Sequence, residues 1–259
     1  MSDETLIKTA RHGDVLHLAL NRPAKRNAAN DALVAALDAT FSSIAPDVRA
    51  IVLTGEGEHF CAGLDLSELT ERNVFQGILH SRGWHSALDR IQYAPVPVVA
   101  VLHGAVVGGG LEIASACHVR VAESSAFYAF PEGQRGIFVG GGGSVRVPRL
   151  IGAARVADMM LTGRVLDADE GLALGLSTYL VEPGQGFAKG LALAQKIAAN
   201  APMSNYAVIQ ALPRIAELAP AEGLFVESLV AAIAQGEPAA KERLRAFLEK
   251  RAGKVEKGQ

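Results

Sequence analysis

The run Val96-Pro-Val-Val-Ala-Val-Leu-His103 constrains this chain more than any other stretch. It is apolar and β-branched, it closes on Gly104, and three glycines (Gly108–Gly110) then lead into a helix carrying Glu112, Ala114 and Ala116. Buried strands that end on glycine and hand over to helices are the grammar of α/β folds. The same grammar recurs along the chain. Ile7–Ala10 and Asp14–Asn21 read as a hairpin turning at Gly13, and Leu33, Leu37 and Phe41 give Asn30–Ile44 a helical period. Arg49–Thr54 is a short strand, and Leu66–Gln92 reads as mostly helical, weakened and made mobile by Gly77 and Gly83. Val119–Ala122 and Thr178–Val181 are strands, Phe127–Pro131 is extended, and Ser144–Leu150 and Arg155–Leu161 are short helices. Asp167-Ala-Asp-Glu170 resembles a capping box opening another helix. From Phe187 onward only helices are expected, broken near Pro202, Pro213, Pro220 and Gly236-Glu-Pro238. The body is therefore built of strand–strand–helix units over residues 1–200, and a helical region follows over 201–259.

Composition closes off several classes. A formal net charge of −2 offers no electrostatic footprint for nucleic acid or an anionic membrane surface. The basic residues between Lys241 and Lys257 alternate with glutamates, as on a solvated helix with a frayed tail. No apolar run reaches the roughly 18 residues a membrane span needs, and Met1-Ser-Asp-Glu does not open a signal peptide. A cytoplasmic location is expected. Cys61 and Cys117 form no disulfide framework and read as small buried packing residues, and the seven histidines show no metal-ligand spacing.

The chemistry lies in two glutamates. Glu112 and Glu132 each sit in apolar, glycine-rich surroundings, where desolvation lifts a carboxyl pKa toward neutrality and suits it to proton transfer. Bare backbone N–H groups beside Glu112 are the usual material of an oxyanion hole. Competing templates fail. A G-x-G-x-x-G fingerprint starting at Gly108 would need glycine where Ile113 stands, Gly140–Gly143 lacks the Gly-Lys ending of a P-loop, and Gly143-Ser-Val is no nucleophile elbow.

Four motifs, in order, resemble the crotonase (enoyl-CoA hydratase/isomerase) superfamily. They are Asn21-Arg-Pro-Ala-Lys-Arg-Asn27-Ala, Phe60-Cys-Ala-Gly-Leu-Asp65-Leu, His103-Gly-x₃-Gly-Gly-Gly-Leu-Glu112 and Phe127-x₃-Pro-Glu132-x₃-Gly136-x₃-Gly-Gly-Gly-Gly143. The resemblance implies a crotonase fold, a spiral of strand–strand–helix units followed by a C-terminal helical region. It implies an acyl-CoA thioester substrate with CoA arriving as part of it, no further cofactor and no metal. Glu112 and Glu132 match both catalytic glutamates of the hydratases. The N–H groups of Leu64 and Gly109 match the oxyanion donors, and Gly140 matches a glycine that holds the catalytic water. Lys25, Asn27, Ala28, Ala62 and Leu64 match the region that holds CoA, with Lys25 or Arg22 suited to phosphate or simply solvated. Asp65 reads as a cap ordering the oxyanion loop. Trp84 and Phe138 either line the acyl pocket or are plain core.

These residues imply an enoyl-CoA hydratase. The run Pro131–Val139 followed by four glycines resembles the subgroup containing methylthioacryloyl-CoA hydratases. An enoyl-CoA isomerase or a thioester hydrolase on the same oxyanion hole is the alternative, and a CoA-binding scaffold without activity is disfavoured by both glutamates. The family's C-terminal helices form trimers that often pair into hexamers. The helical spacing of Leu224, Phe225, Leu229 and Ile233 suits such an interface, or packing within one subunit.

Overall fold

The computed structural model describes residues 5–68, 71–249 and 251, so Met1–Glu4 and the end of the basic tail lie outside the described residues. The chain divides into two compact units, the first running to Ala198 and the second starting at Ala199.

The first unit opens with β1 (Ile7–His12) and β2 (Val15–Leu20), an antiparallel hairpin whose turn uses Gly13 at φ 63. Helix α1 (Asp31–Ser42) follows. Its N-cap Asn30 accepts from the Leu33 N–H at 2.9 Å, and Leu33, Val34, Leu37 and Phe41 face inward, as their spacing predicts. Next come β3 (Ala50–Gly55), α2 (Val74–Gln92), β4 (Val98–Leu102), β5 (Ala105–Val107), α3 (Gly109–Ala116), β6 (Val119–Glu123) and β7 (Phe127–Ala129). Helices α4 (Gly143–Ile151), α5 (Ala153–Thr162) and α6 (Ala168–Leu174), strand β8 (Tyr179–Val181) and helix α7 (Gly186–Ala198) complete the unit. Asp167 does cap α6 through a reciprocal capping box with Glu170.

The strands form a six-stranded sheet in the order β1-β2-β3-β4-β6-β8, parallel except for the opening hairpin, and a separate parallel pair, β5-β7. Both faces of the large sheet are covered, which is why β3 and β4 read as continuous apolar runs rather than alternating ones. Ile51 and Leu53 enter the main core, while Ala50 and Val52 enter a smaller cluster under α7. Helix α7 lies close on the sheet because Gly190 has no side chain; a Cβ there would come 2.5 Å from Val101 Cγ2.

Two expectations change. Among the described residues, the segment read as helical from Leu66 opens with a 3₁₀ turn at Leu66–Glu68, and α2 begins at Val74. Asn73 and Gln76 form a capping box there, and the helix runs through Gly77 and Gly83 unbroken. Strand β5 was hidden in the sequence, since Ala105-Val-Val107 looks like the tail of the run that forms β4. Gly104, at φ 53, turns the chain out of the large sheet between them.

The second unit is helical: α8 (Pro202–Gln210), α9 (Leu212–Ile215), α10 (Pro220–Gly236) and α11 (Pro238–Leu248). Prolines at the first turns of all four explain the breaks. No described helix is long and apolar enough to cross a membrane.

Candidate active site

Strand β5 is the hub of the site. On one side the Phe60–Leu64 segment pairs with it, Cys61 N–H donating to Ala105 O at 3.0 Å and Val107 N–H to Cys61 O at 3.1 Å. On the other side lies β7, in register Ala105↔Phe127 and Val107↔Ala129, extended by Gly108 N–H donating to Ala129 O at 2.9 Å. The ends of all three segments therefore arrive together. The first carries Leu64, β5 runs into Gly108 and the first turn of α3 with Glu112, and β7 runs through Phe130-Pro131 to Glu132.

A cavity of about 400 Å³ opens at that point, and its lining includes Leu64, Trp84, Gly109, Glu112, Glu132, Phe138 and Gly140. The Leu64 and Gly109 nitrogens are neighbours. A Cβ built on Gly63 would stand 3.6 Å from the Gly109 nitrogen, and one on Gly109 would stand 3.7 Å from that of Leu64. Gly109 is the first residue of α3, where N–H groups have no intrahelical acceptor and the dipole favours negative charge. Among the described residues neither N–H has a partner. The glycines here are steric necessities: a Cβ on Gly110 would run into the Cys61 carbonyl, and one on Gly63 would come 2.8 Å from Val107 O.

Glu112 is 4% exposed. Its Oε1 accepts from two backbone donors, Gly141 N–H and Gly143 N–H, each at 2.8 Å. Burial raises its pKa, and the Gly143 and Gly141 N–H groups and the Arg146 charge oppose that without cancelling it. Glu132 is 8% exposed, and its Oε2 has no hydrogen-bond partner among the described residues. Burial pushes its pKa up to about 7; its own backbone N–H and Arg135 lower it, and the charge of Glu112 adds to the rise. The site thus holds one carboxylate fixed by two donors and one that changes protonation near neutral pH.

The remaining predicted residues divide by environment. The indole of Trp84 is buried and packs between Gly109 and Gly141: a Cβ on Gly109 would lie 2.8 Å from its Cη2, and one on Gly141 2.9 Å from its Cε3. Phe138 is 68% exposed at the rim. Lys25 is exposed, with Nζ 3.3 Å from Ser67 Oγ, and Ala28 and Ala62 are half-buried. Asn27 is fully buried at φ 55, with Oδ1 accepting from Arg22 N–H and Nδ2 donating to the carbonyls of Glu56 and His59. Its side chain is committed to loop structure. Asp65 caps the turn that follows: it accepts from Ser67 N–H and Oγ and pairs with Arg22 at 2.9 Å, and the Ser67 hydroxyl first, then Arg22, hold its carboxyl below the usual range against the effect of burial. Both cysteines are buried thiols with pKa pushed up to about 12 by burial. No cluster of three or more His, Cys, Asp or Glu side chains suited to a metal occurs among the described residues.

Sequence reasoning missed the hold on Glu112. Its two donors lie 29 and 31 residues downstream, and behind them stand Ser81, whose Oγ donates to Gly140 O at 2.6 Å, and Arg146, whose Nη1 donates to Gly141 O at 3.0 Å. The available signal was the run of four glycines, far more than one water-binding position requires.

Comparison with known proteins identifies the family. The profile of the family described as Enoyl-CoA hydratase/isomerase matches residues 10–258. A short-chain-enoyl-CoA hydratase of Clostridium acetobutylicum is 34% identical over 93% of this chain and 94% of its own length. The 2,3-dehydroadipyl-CoA hydratase of Escherichia coli is 33% identical over 93% and 95%. A crystal structure from Rhodopseudomonas palustris CGA009, assigned provisionally to the enoyl-CoA hydratases, superposes with a TM-score of 0.94 at 56% identity, covering 98% of this chain and 99% of that one.

Proposed function

The chain belongs to the enoyl-CoA hydratase/isomerase family, and from that premise we propose that it hydrates 2-enoyl-CoA thioesters. The observation that carries this reading is the convergence of two buried carboxylates, Glu112 and Glu132, on one cavity with the Leu64 and Gly109 N–H groups.

In this reading the thioester carbonyl oxygen takes both N–H groups. Negative charge grows on it as water adds to C3, and each aligned donor lowers the barrier by ~2.7–4 kcal/mol. Glu112, its Oε1 occupied by two donors that favour the anion, removes a proton from the water through Oε2 as the water oxygen bonds to C3. Glu132, protonated in part at neutral pH and free on Oε2, delivers its proton to C2, where the former π pair becomes the new C–H bond. The product has gained one water, and the proton now on Glu112 returns to Glu132 through solvent before the next turnover. Positioned acid–base groups of this kind contribute ~10²–10⁴-fold. Gly140, on the same cavity wall, would help seat the water.

Lys25, Ala28, Ala62 and Leu64 would receive the CoA moiety, with Lys25 as a mobile point charge for phosphate and Asn27 shaping the loop. Trp84 closes the acyl site beside the reacting carbons, and Phe138 covers its mouth. The resemblance of Pro131–Val139 and the four glycines after it to methylthioacryloyl-CoA hydratases supports methylthioacryloyl-CoA as one substrate to test. A homotrimer or a hexamer is proposed because Leu224, Phe225, Leu229 and Ile233 are 49–65% exposed on α10 in the single chain, an apolar face that a second copy would cover. Light scattering reads that directly.

The test of activity is loss of the conjugated thioester absorbance with crotonyl-, longer straight-chain, aryl-acryloyl- and methylthioacryloyl-CoA, with products weighed by mass spectrometry. A gain of one water supports the hydratase. Release of free CoA thiol, or isomerisation without mass change, refutes it.

A further inference from the structure

We propose that Ser81 and Arg146 are positioning residues that hold the glycine loop 140–143, so that its N–H groups keep Glu112 oriented for reaction. The inference rests on the functional reading above only in taking Glu112 as the reacting group.

Four consecutive glycines have more backbone freedom to lose than any other tetrapeptide, on the order of 1–2 kcal/mol per residue fixed. Such a loop cannot present two N–H groups to one oxygen unless something pins it. One pin comes from α2, through Ser81, and the other from α4, through Arg146. The peptide joining Gly140 to Gly141 is bonded at both ends: its carbonyl accepts from Ser81 Oγ at 2.6 Å, and its N–H donates to Glu112 Oε1 at 2.8 Å. Hydrogen bonds in series through one amide polarise each other, so the Ser81 hydroxyl strengthens the donor that Glu112 receives. The next carbonyl, that of Gly141, accepts from Arg146 Nη1 at 3.0 Å. Arg146 is itself tied to α2, with Nε on Gln92 Oε1 and Nη2 on Asp89 Oδ1, both at 2.6 Å, and is 10% exposed. Each of the three guanidinium nitrogens thus holds one acceptor, an arrangement that the point charge of a lysine does not reproduce. Gly142, at φ 102, must lack a Cβ because Arg146 Nη1 fills that space.

The short hydrogen bond of the Ser81 hydroxyl is the one to Gly140 O, and the residue also borders the cavity. It lies four residues before His85, whose Nε2 is 3.4 Å from its Oγ, and it does not touch Glu112 itself. The charged and titratable groups around Glu112 are Arg146 from α4 and Glu132 beyond β7, with Arg72 and His80 also on the cavity wall.

The experiment is a titration of the full-length protein labelled with ¹³C at the glutamate carboxyls, with the Glu112 resonance assigned by its loss in Glu112→Gln. Ser81→Ala, Ser81→Thr and Arg146→Lys are compared with wild type, and kcat and KM are measured on the best enoyl-CoA. Removing the hydroxyl weakens a bond to the anion, so Ser81→Ala should titrate at least about half a pH unit higher. Its kcat should fall about tenfold or more, with KM within about twofold. Ser81→Thr should recover both. Arg146→Lys keeps the charge and loses the fork, and should shift the midpoint in the same direction. Wild-type midpoints in Ser81→Ala and Arg146→Lys would overturn the proposal. So would a threonine variant as impaired as the alanine one, since the hydroxyl would then be irrelevant. If the wild type hydrates no enoyl-CoA, the functional reading fails, while the carboxyl midpoints still decide whether these residues position Glu112.

Discussion

Gly108→Ala tests the site where the backbone meets Glu132. Gly108 sits at φ 52 and ψ −121, a backbone conformation that residues with a Cβ avoid, and forcing alanine into it costs about 1–3 kcal/mol. The new methyl would also stand 2.7 Å from Glu132 Oε1, so the carboxylate must swing away. At about 2–4 °C per kcal/mol for a chain of this size, the backbone cost should lower Tm by about 2–12 °C. A catalytic group misplaced by about 1 Å costs about 10²-fold, so kcat should drop about a hundredfold. KM should hold, because the residues proposed for CoA lie on other segments. Thioester absorbance at saturating substrate and calorimetry on the same sample read both effects. The effect is argued to run through Glu132. The double variant Gly108→Ala/Glu132→Gln should therefore be little slower than Glu132→Gln alone. Wild-type kcat in Gly108→Ala, or full additivity in the double variant, would refute the reasoning.

Glu112→Gln and Glu132→Gln should each lower turnover at least about a hundredfold while leaving the circular dichroism spectrum intact, and near-wild-type hydration by either would sink the two-carboxylate mechanism. With Glu132 as the acid, kcat should decline as pH rises through about 7, a limb absent from the residual activity of Glu132→Gln. The same shift bears on stability. The folded pKa of about 7 lies above the unfolded value near 4.5, so this group's contribution is complete below about 4.5 and is lost as pH rises through about 7. Glu132→Gln should therefore gain Tm over wild type at about pH 8 and lose that advantage at about pH 4, as scanning calorimetry would record. Cys61 and Cys117, with thiols pushed up to about 12, should resist a thiol-specific disulfide reagent at about pH 8 until the chain is unfolded; rapid labelling of native protein would contradict their burial.

The sequence was legible where the determinant is local. The period of Leu33, Leu37 and Phe41, the Asp167–Glu170 box and the prolines of the second unit each act within a turn or two, and each element appears where its pattern places it. The start of α2 is also written locally, in the Asn73 and Gln76 capping box, which the reading from Leu66 passed over. The family's motifs brought Leu64, Gly109, Glu112 and Glu132 to one cavity. What stayed hidden depends on contact between distant segments. Nothing around Ser81 or Arg146 states that they meet Gly140 and Gly141, 59 and 5 residues away. Three residues of β5 are too few to show a period, and they became a strand only because Cys61 and β7 flank them.

That short strand has a consequence for how the chain can vary. Each group proposed to react is referenced to one three-residue ruler, with the segment carrying Leu64 clipped to one edge and the strand leading to Glu132 to the other. A slip of a single residue along it would move Glu132 by about 3.3 Å and turn its strand's side chains to the opposite face. Insertions in the stretch between Ser67 and Asn73, or beyond Ala198, leave the ruler unread. An insertion or deletion between Cys61 and Leu64, Ala105 and Glu112, or Phe127 and Glu132 takes the two halves of the reaction out of step. Anyone transplanting this chemistry to another scaffold would need to carry those three segments as a single piece.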